Sequence, residues 1–121
     1  MLSFLRPGGR PDRLTIPEAV KRVADGSLTL VDVRDISELK AGGKAKGALH
    51  VPLMLLAARA DPRHPEHLSA LSPAGAVAVY CASGARSGMA VRLLEKLGYA
   101  EVHNLGGLAD WRNGGGAVVK A

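Results

Sequence analysis

The chain of 121 residues has a single cysteine. That excludes an internal disulfide and any CxxC metal or redox pair, and it suits a reducing compartment. Aromatic residues are scarce at 3%. A core must therefore come mainly from Leu, Val, Ile and Ala, which the 47% apolar composition supplies. No apolar run approaches the ~20 residues that a bilayer-crossing helix needs. The opening MLSFLRPGGR has too few apolar residues before Arg6 and Pro7 to form the core of a secretory signal. The net charge is +5, but the basic residues are spread along the chain. Without a basic stripe, nucleic-acid binding is not expected, and attraction of small anions is a better use of the charge. The expectation is a soluble, cytoplasmic protein acting without membrane or nucleic acid.

Fifteen glycines and seven prolines imply many tight turns, with no repeating period. Residues 1–13 hold Pro7, Gly8, Gly9 and Pro11 and read as a flexible tail; residues 14–121 suffice for one domain. Thr15 and Glu18 form a capping-box pattern ahead of a helix with Ala19, Val20 and Val23 on one face and Gly26 at its stop. Leu28–Val33 is nearly continuous in apolar residues, as a strand covered on both faces would be. Ile36–Lys40 fits one helical turn, residues 41–47 a loop, Ala48–Val51 a short strand and Leu53–Arg59 a helix. Asp61–Pro65 breaks the pattern, and His67–Leu71 fits another short helix. Val77–Tyr80 is the third strand, expected at the centre.

Ser87–Leu97 carries the best helical stripe, through Met89, Ala90, Leu93, Leu94 and Leu97, with Gly98 past its end. Glu101–Leu105 is a last strand, and Gly106-Gly107 opens a helical segment through Trp111. Strands alternating with helices predict an α/β fold with a mainly parallel central sheet flanked by helices. Such sheets bind ligands at the carboxyl ends of their strands, and Cys81 falls at one.

The stretch after that strand is Cys81-Ala82-Ser83-Gly84-Ala85-Arg86-Ser87. Between Cys81 and Arg86 every side chain is small, so the backbone can curl and turn several N–H groups inward. Such a nest, joined to a helix N-terminus, holds an anion. The anion is either the Cys81 sulfur or an oxyanion above it. A free thiol near pKa ~8.5 is only about 3% ionised at neutral pH. Inward amides, Arg86 and the helix start would raise that fraction and make Cys81 a nucleophile without a histidine base. The plainer reading of the same position is a buried, inert cysteine.

From about Thr15 to Ala117 the sequence resembles a single-domain rhodanese, a sulfurtransferase. The family's active-loop pattern CxxGxRS appears as Cys81 to Ser87. Leu30-Val31-Asp32-Val33-Arg34-Asp35 is similar to its "DVR" strand. Gly47-Ala48-Leu49-His50-Val51-Pro52 matches the second half of its "GHIPGAxNVP" segment, and Asn104 to Trp111 its "xxGGxxxW" ending. One departure stands out: Gly43-Lys44-Ala45-Lys46-Gly47 replaces "GHIPG". The resemblance implies the rhodanese-like three-layer fold and a double displacement. Cys81 takes the outer sulfur of thiosulfate or a similar anion as a persulfide, with no cofactor. Cyanide, a small thiol or a protein acceptor then removes it. It further implies that Ala82, Ser83, Gly84, Ala85 and Arg86 line the substrate site, with Ser87 capping the helix or bonding within the loop.

Plainer roles suit the other candidates. Asp32, Arg34 and Asp35 follow a strand and can reach the site, but such residues usually fix a turn. His64 and His67 lack a third ligand for a metal. His50 and His103 fill or edge the core, Trp111 anchors the last helix and Met89 fills the core. Two competing functions remain open: a phosphatase or arsenate reductase, and a non-catalytic binding or regulatory module. The first usually has five residues between Cys and Arg, where this chain has four, Ala82 to Ala85.

Overall fold

The computed structural model describes residues 14–121; the segment read as a tail lies outside them. The chain runs α1 (Ile16–Asp25), β1 (Thr29–Asp32), α2 (Ile36–Gly42), β2 (Lys44–Ala45), β3 (Leu49–His50) and α3 (Leu53–Ala60). It continues through β4 (Ala76–Cys81), α4 (Ala85–Lys96), β5 (Glu101–Gly107), α5 (Leu108–Asn113) and β6 (Val118–Val119).

The capping box forms. The Glu18 N–H donates to Thr15 Oγ1 at 3.2 Å, and the Thr15 N–H donates to Glu18 Oε1 at 2.9 Å. Gly26 ends the helix in the left-handed region. Four strands pair in parallel in the order β3-β1-β4-β5, so β1 and β4 are central. Their apolar residues alternate between two layers, as the period of two requires. Val31, Val33, Val77, Val79 and Cys81 meet Leu56 of α3 and Ala90 and Leu94 of α4. Leu30, Ala78 and Tyr80 meet Ala19 of α1 and Leu108 and Trp111 of α5. The result is the three-layer α/β architecture that the alternation implied. No described helix is long and apolar enough to cross a membrane.

Four local expectations are corrected. Residues 67–71 form turns rather than a helix, because the Leu68 N–H is drawn to Arg59 O at 2.9 Å. The stretch read as a loop over 41–47 contains β2, which pairs antiparallel with β6; its Ala45 N–H donates to the Tyr80 hydroxyl at 2.9 Å. That pairing occupies the segment where the Lys44–Lys46 departure falls.

Helix α4 begins at Ala85, two residues earlier than its stripe suggested. Its buried line is Ser87, Ala90 and Leu94. Met89, roughly 200° around from Ser87, is 53% exposed rather than core-filling. Trp111 is buried as expected, and its indole N–H donates to Ala117 O at 2.8 Å.

Candidate active site

Cys81 is the last residue of β4 and is buried in the layer facing α3 and α4. The chain then turns through Ala82 and Ser83 to Gly84, whose φ of +104° lies in the left-handed region that glycine tolerates best. This turn folds the N-terminus of α4 back over the sulfur. The Gly84 N–H donates to Cys81 Sγ at 3.0 Å and the Ser87 N–H at 3.4 Å. Ser87 Oγ lies 3.4 Å from the same sulfur.

Burial pushes the thiol up. Hydrogen bonds from the N–H groups of Ser87, Gly84 and Ser83 act the other way and hold it below the ordinary 9.0, down to about 7 when the Ser87 hydroxyl also turns its proton to the sulfur. A lowered thiol carries more thiolate at neutral pH than the few per cent of a free one. The inert-cysteine reading does not account for donors converging on one atom.

Ser87 does not cap α4. It sits inside the first turn, and its hydroxyl donates to Asn104 Oδ1 at 2.7 Å. The cap position belongs to Gly84, because the helix starts earlier than its apolar stripe. The Arg86 side chain is engaged with α2, near enough to Cys81 to interact with its charge. Its guanidinium holds Glu38 of α2 through two bonds of 2.7 and 2.9 Å. This pair raises the arginine and holds the Glu38 carboxyl down at about 2. Arg86 thus fastens α4 to α2, with part of its charge spent on the partner. Ala82, Ser83 and Ala85 are exposed at the rim.

Strand β5 closes the other side. Its register with β4 slips between Val79 and Cys81: Val79 pairs with Asn104, but Cys81 pairs with Gly107. The extra residue is a bulge, which re-aims side chains at a strand end. It lets Asn104 reach both Gly84 O, at 3.1 Å, and Ser87. An open cleft of about 520 Å³ adjoins the loop, lined by Thr15, Ile16, Ser83, Gly84, Asn104 and Asp110 among others.

The remaining candidates are held in local hydrogen bonds. Asp32 is fully buried and accepts from the Arg34 N–H and, at 2.7–3.0 Å, from its guanidinium. Arg34 also donates to Gly43 O at 2.7 Å and lies over the Tyr80 ring. Asp35 precedes α2, and its N–H donates to Glu38 Oε1 at 3.0 Å; it touches the site only through Glu38. His64 Nδ1 accepts from the Glu66 N–H, and His67 Nε2 bonds Leu71 O. Among the described residues no three His, Cys, Asp or Glu side chains group to hold a metal.

Glu38 and Asn104 were not singled out from the sequence. Glu38 carried one signal, its place three residues after Asp35 at a helix start. Asn104 carried only its place beside Gly106-Gly107.

A parallel α/β sheet whose central strand ends in a cysteine, cradled by the amides of the next helix, defines the class. The match to known proteins makes it specific. Residues 15–114 fit the family model of the rhodanese-like domain, and the chain belongs to that family. A sulfurtransferase of Allochromatium vinosum is 36% identical over 101 residues, covering 82% of this chain and 86% of its own. YrkF of Bacillus subtilis is 34% identical over an alignment of 118 positions that covers 89% of this chain and 59% of YrkF. A solved structure from Rhodopseudomonas palustris, of unknown function and described as a possible tyrosine phosphatase, has a TM-score of 0.76 at 28% identity. It covers 88% of this chain and 83% of its own.

Proposed function

We propose that the chain is a sulfurtransferase that carries a sulfane sulfur on Cys81. The observation that carries this reading is the convergence of backbone N–H groups on the Cys81 sulfur, 3.0 Å from Gly84 and 3.4 Å from Ser87. The thiolate attacks the outer sulfur of thiosulfate or a similar anion. A new S–S bond forms, the donor's S–S bond breaks, and sulfite leaves with the electron pair. The outer sulfur of the persulfide carries the charge, and the amide nest can hold it as it held the thiolate. Cyanide or a thiolate then attacks that outer sulfur, and Cys81 leaves as the thiolate. These 121 residues hold no second cysteine to resolve the persulfide; the acceptor in this reading is a small thiophile or a thiol outside them. The transferred sulfur rides on Cys81 alone, and the cycle as written uses no cofactor.

Arg86 argues against phosphate chemistry. A bidentate guanidinium is the usual clamp for a tetrahedral oxyanion, and here both donors are on Glu38. A purely binding or regulatory module has no need of the lowered thiol.

Intact-mass measurement after thiosulfate treatment tests the reading. One added sulfur on Cys81 is expected, removed by cyanide as thiocyanate and absent in Cys81→Ser. Full transferase activity in Cys81→Ser, or turnover of p-nitrophenyl phosphate without any sulfur transfer, would overturn it.

A further inference from the structure

Ser87 has one hydroxyl proton and three neighbours that can take it. Its Oγ lies 2.7 Å from Asn104 Oδ1, 3.4 Å from Cys81 Sγ and 3.5 Å from Gly106 O. The backbone dictates which way the Asn104 amide faces. The Gly106 N–H can only donate, and it meets Oδ1 at 2.9 Å. The Gly84 carbonyl can only accept, and it meets Nδ2 at 3.1 Å. Oδ1 therefore confronts Ser87 as an acceptor, and the 2.7 Å contact is a bond that Ser87 donates. The hydroxyl is left with lone pairs toward the sulfur. It can accept from the thiol but cannot at the same time donate to the thiolate.

We propose that Asn104 is a positioning residue that holds the Ser87 proton away from Cys81 and so favours the protonated sulfur. The proposal rests on Cys81 being the reactive sulfur, as argued above. The N–H groups of Gly84 and Ser87 favour ionisation; Asn104 opposes them by competing for one donor. The competition suits a residue that serves first as nucleophile and then as leaving group. A thiolate stabilised by every available donor leaves faster but attacks more weakly.

Charged groups near the sulfur stay unchanged when Asn104 is replaced by a neutral residue. They are Arg86 of α4, Glu38 of α2 bonded to it, and Asp35 before α2. On the β5 side Asp110 of α5 accepts from the Gly107 N–H. Strand β1 and helix α3 present Val31, Val33 and Leu56 to this layer.

The test is the pH dependence of iodoacetamide alkylation in wild type, Asn104→Ala, Ser87→Ala and the double variant. Asn104→Ala is expected to lower the midpoint by roughly half a pH unit or more, about threefold more thiolate below it, because Ser87 then donates to sulfur. Ser87→Ala is expected not to raise the midpoint, and the double variant to match Ser87→Ala. A rise in Asn104→Ala, as simple loosening of the loop would cause, overturns the proposal. So does a fall of equal size when the Ser87 hydroxyl is absent. Should Asn104→Ala fail to fold, Ser87→Ala decides alone: a midpoint raised by about one pH unit means the proton already sits on sulfur, and the proposal fails. Alkylation reads the thiol without any transfer reaction, so this result is separate from that of the persulfide mass measurement.

Discussion

Replacing Gly107 by alanine would drive a methyl group into the back of the active loop. A Cβ built there lies 2.2 Å from the Ala82 carbonyl oxygen and 2.9 Å from its carbon. Comfortable contact begins near ~3.5 Å, so strand and loop must part by roughly 1 Å. Neither side can give by rotating a side chain, because the obstructing atoms are backbone. The φ of Gly107 is −112°, which alanine adopts freely, so the effect is purely steric.

Ala82 directly follows the reactive cysteine, and its displacement moves the Gly84 and Ser87 amides relative to the sulfur. Misplacement of reacting groups by about 1 Å costs on the order of 100-fold in rate. Overpacking of this kind costs about 1–3 kcal/mol of stability, a melting temperature lower by roughly 3–10 °C for a domain of this size. The assay is kcat/KM for thiosulfate-to-cyanide transfer, with a thermal melt on the same sample. Gly88→Ala is the control for glycine replacement. Gly88 lies inside α4, and a Cβ there meets Asn104 Nδ2 at an ordinary 3.6 Å, so a gain of about 0.5–1 kcal/mol is expected. Transfer within threefold of wild type and an unchanged melt in Gly107→Ala would refute the claim that this backbone contact holds the loop.

Three further outcomes follow from the charges. Alkylation of Cys81 in the wild type should reach half its limiting rate below the ordinary 9.0; a midpoint at 9.0 would show that the amides do not reach the sulfur. Because the folded value is lowered, this group's contribution to stability is full above pH 9.0 and is lost as pH falls through the lowered folded value, which urea titrations between pH 9 and 7 would detect. The Glu38 carboxyl, held near 2 by Arg86, contributes stability that is full above its ordinary 4.5 and is lost as pH falls toward 2. The pair is about one-third exposed, so Glu38→Gln should cost only about 1 kcal/mol at pH 7, and the deficit should shrink in urea titrations at pH 3. Arg34→Ala should cost about 3–5 kcal/mol in the same titrations, since it leaves the fully buried Asp32 without its partner; a loss below 1 kcal/mol would mean that water replaces the guanidinium.

Signals carried by neighbours in the chain were legible in the sequence. The capping box at Thr15 and Glu18 lies within one turn. The apolar run ending at Cys81 and the small residues after it are contiguous, and so they announced both the central strand and the nest. The order of strands and helices led to the parallel layered sheet, because parallel neighbours need crossovers and the helices between them supply these. The resemblance of four ordered segments to rhodaneses pointed to the same loop.

Errors arose where the decisive partner is distant in sequence. Of the two roles read for Ser87, the cap fails and the hydrogen bond holds, but its hydroxyl partner is Asn104, seventeen residues on. The loop pattern places Arg86 beside the nest but gives no sign of its partner; its guanidinium is held by Glu38, forty-eight residues back. Residues 41–47 read as a loop because β2 is two residues long and forms only against β6 at the far end of the chain.

The sequence by itself determined that one cysteine stands at the end of a buried strand under a turn of small residues ahead of a helix, since covalent order and periodicity suffice for that. Tertiary structure decided which donors meet the sulfur and where the Arg86 charge goes. A hydrogen bond is set by about half an ångström of position, and only the packing of β5 and α2 against the loop supplies that.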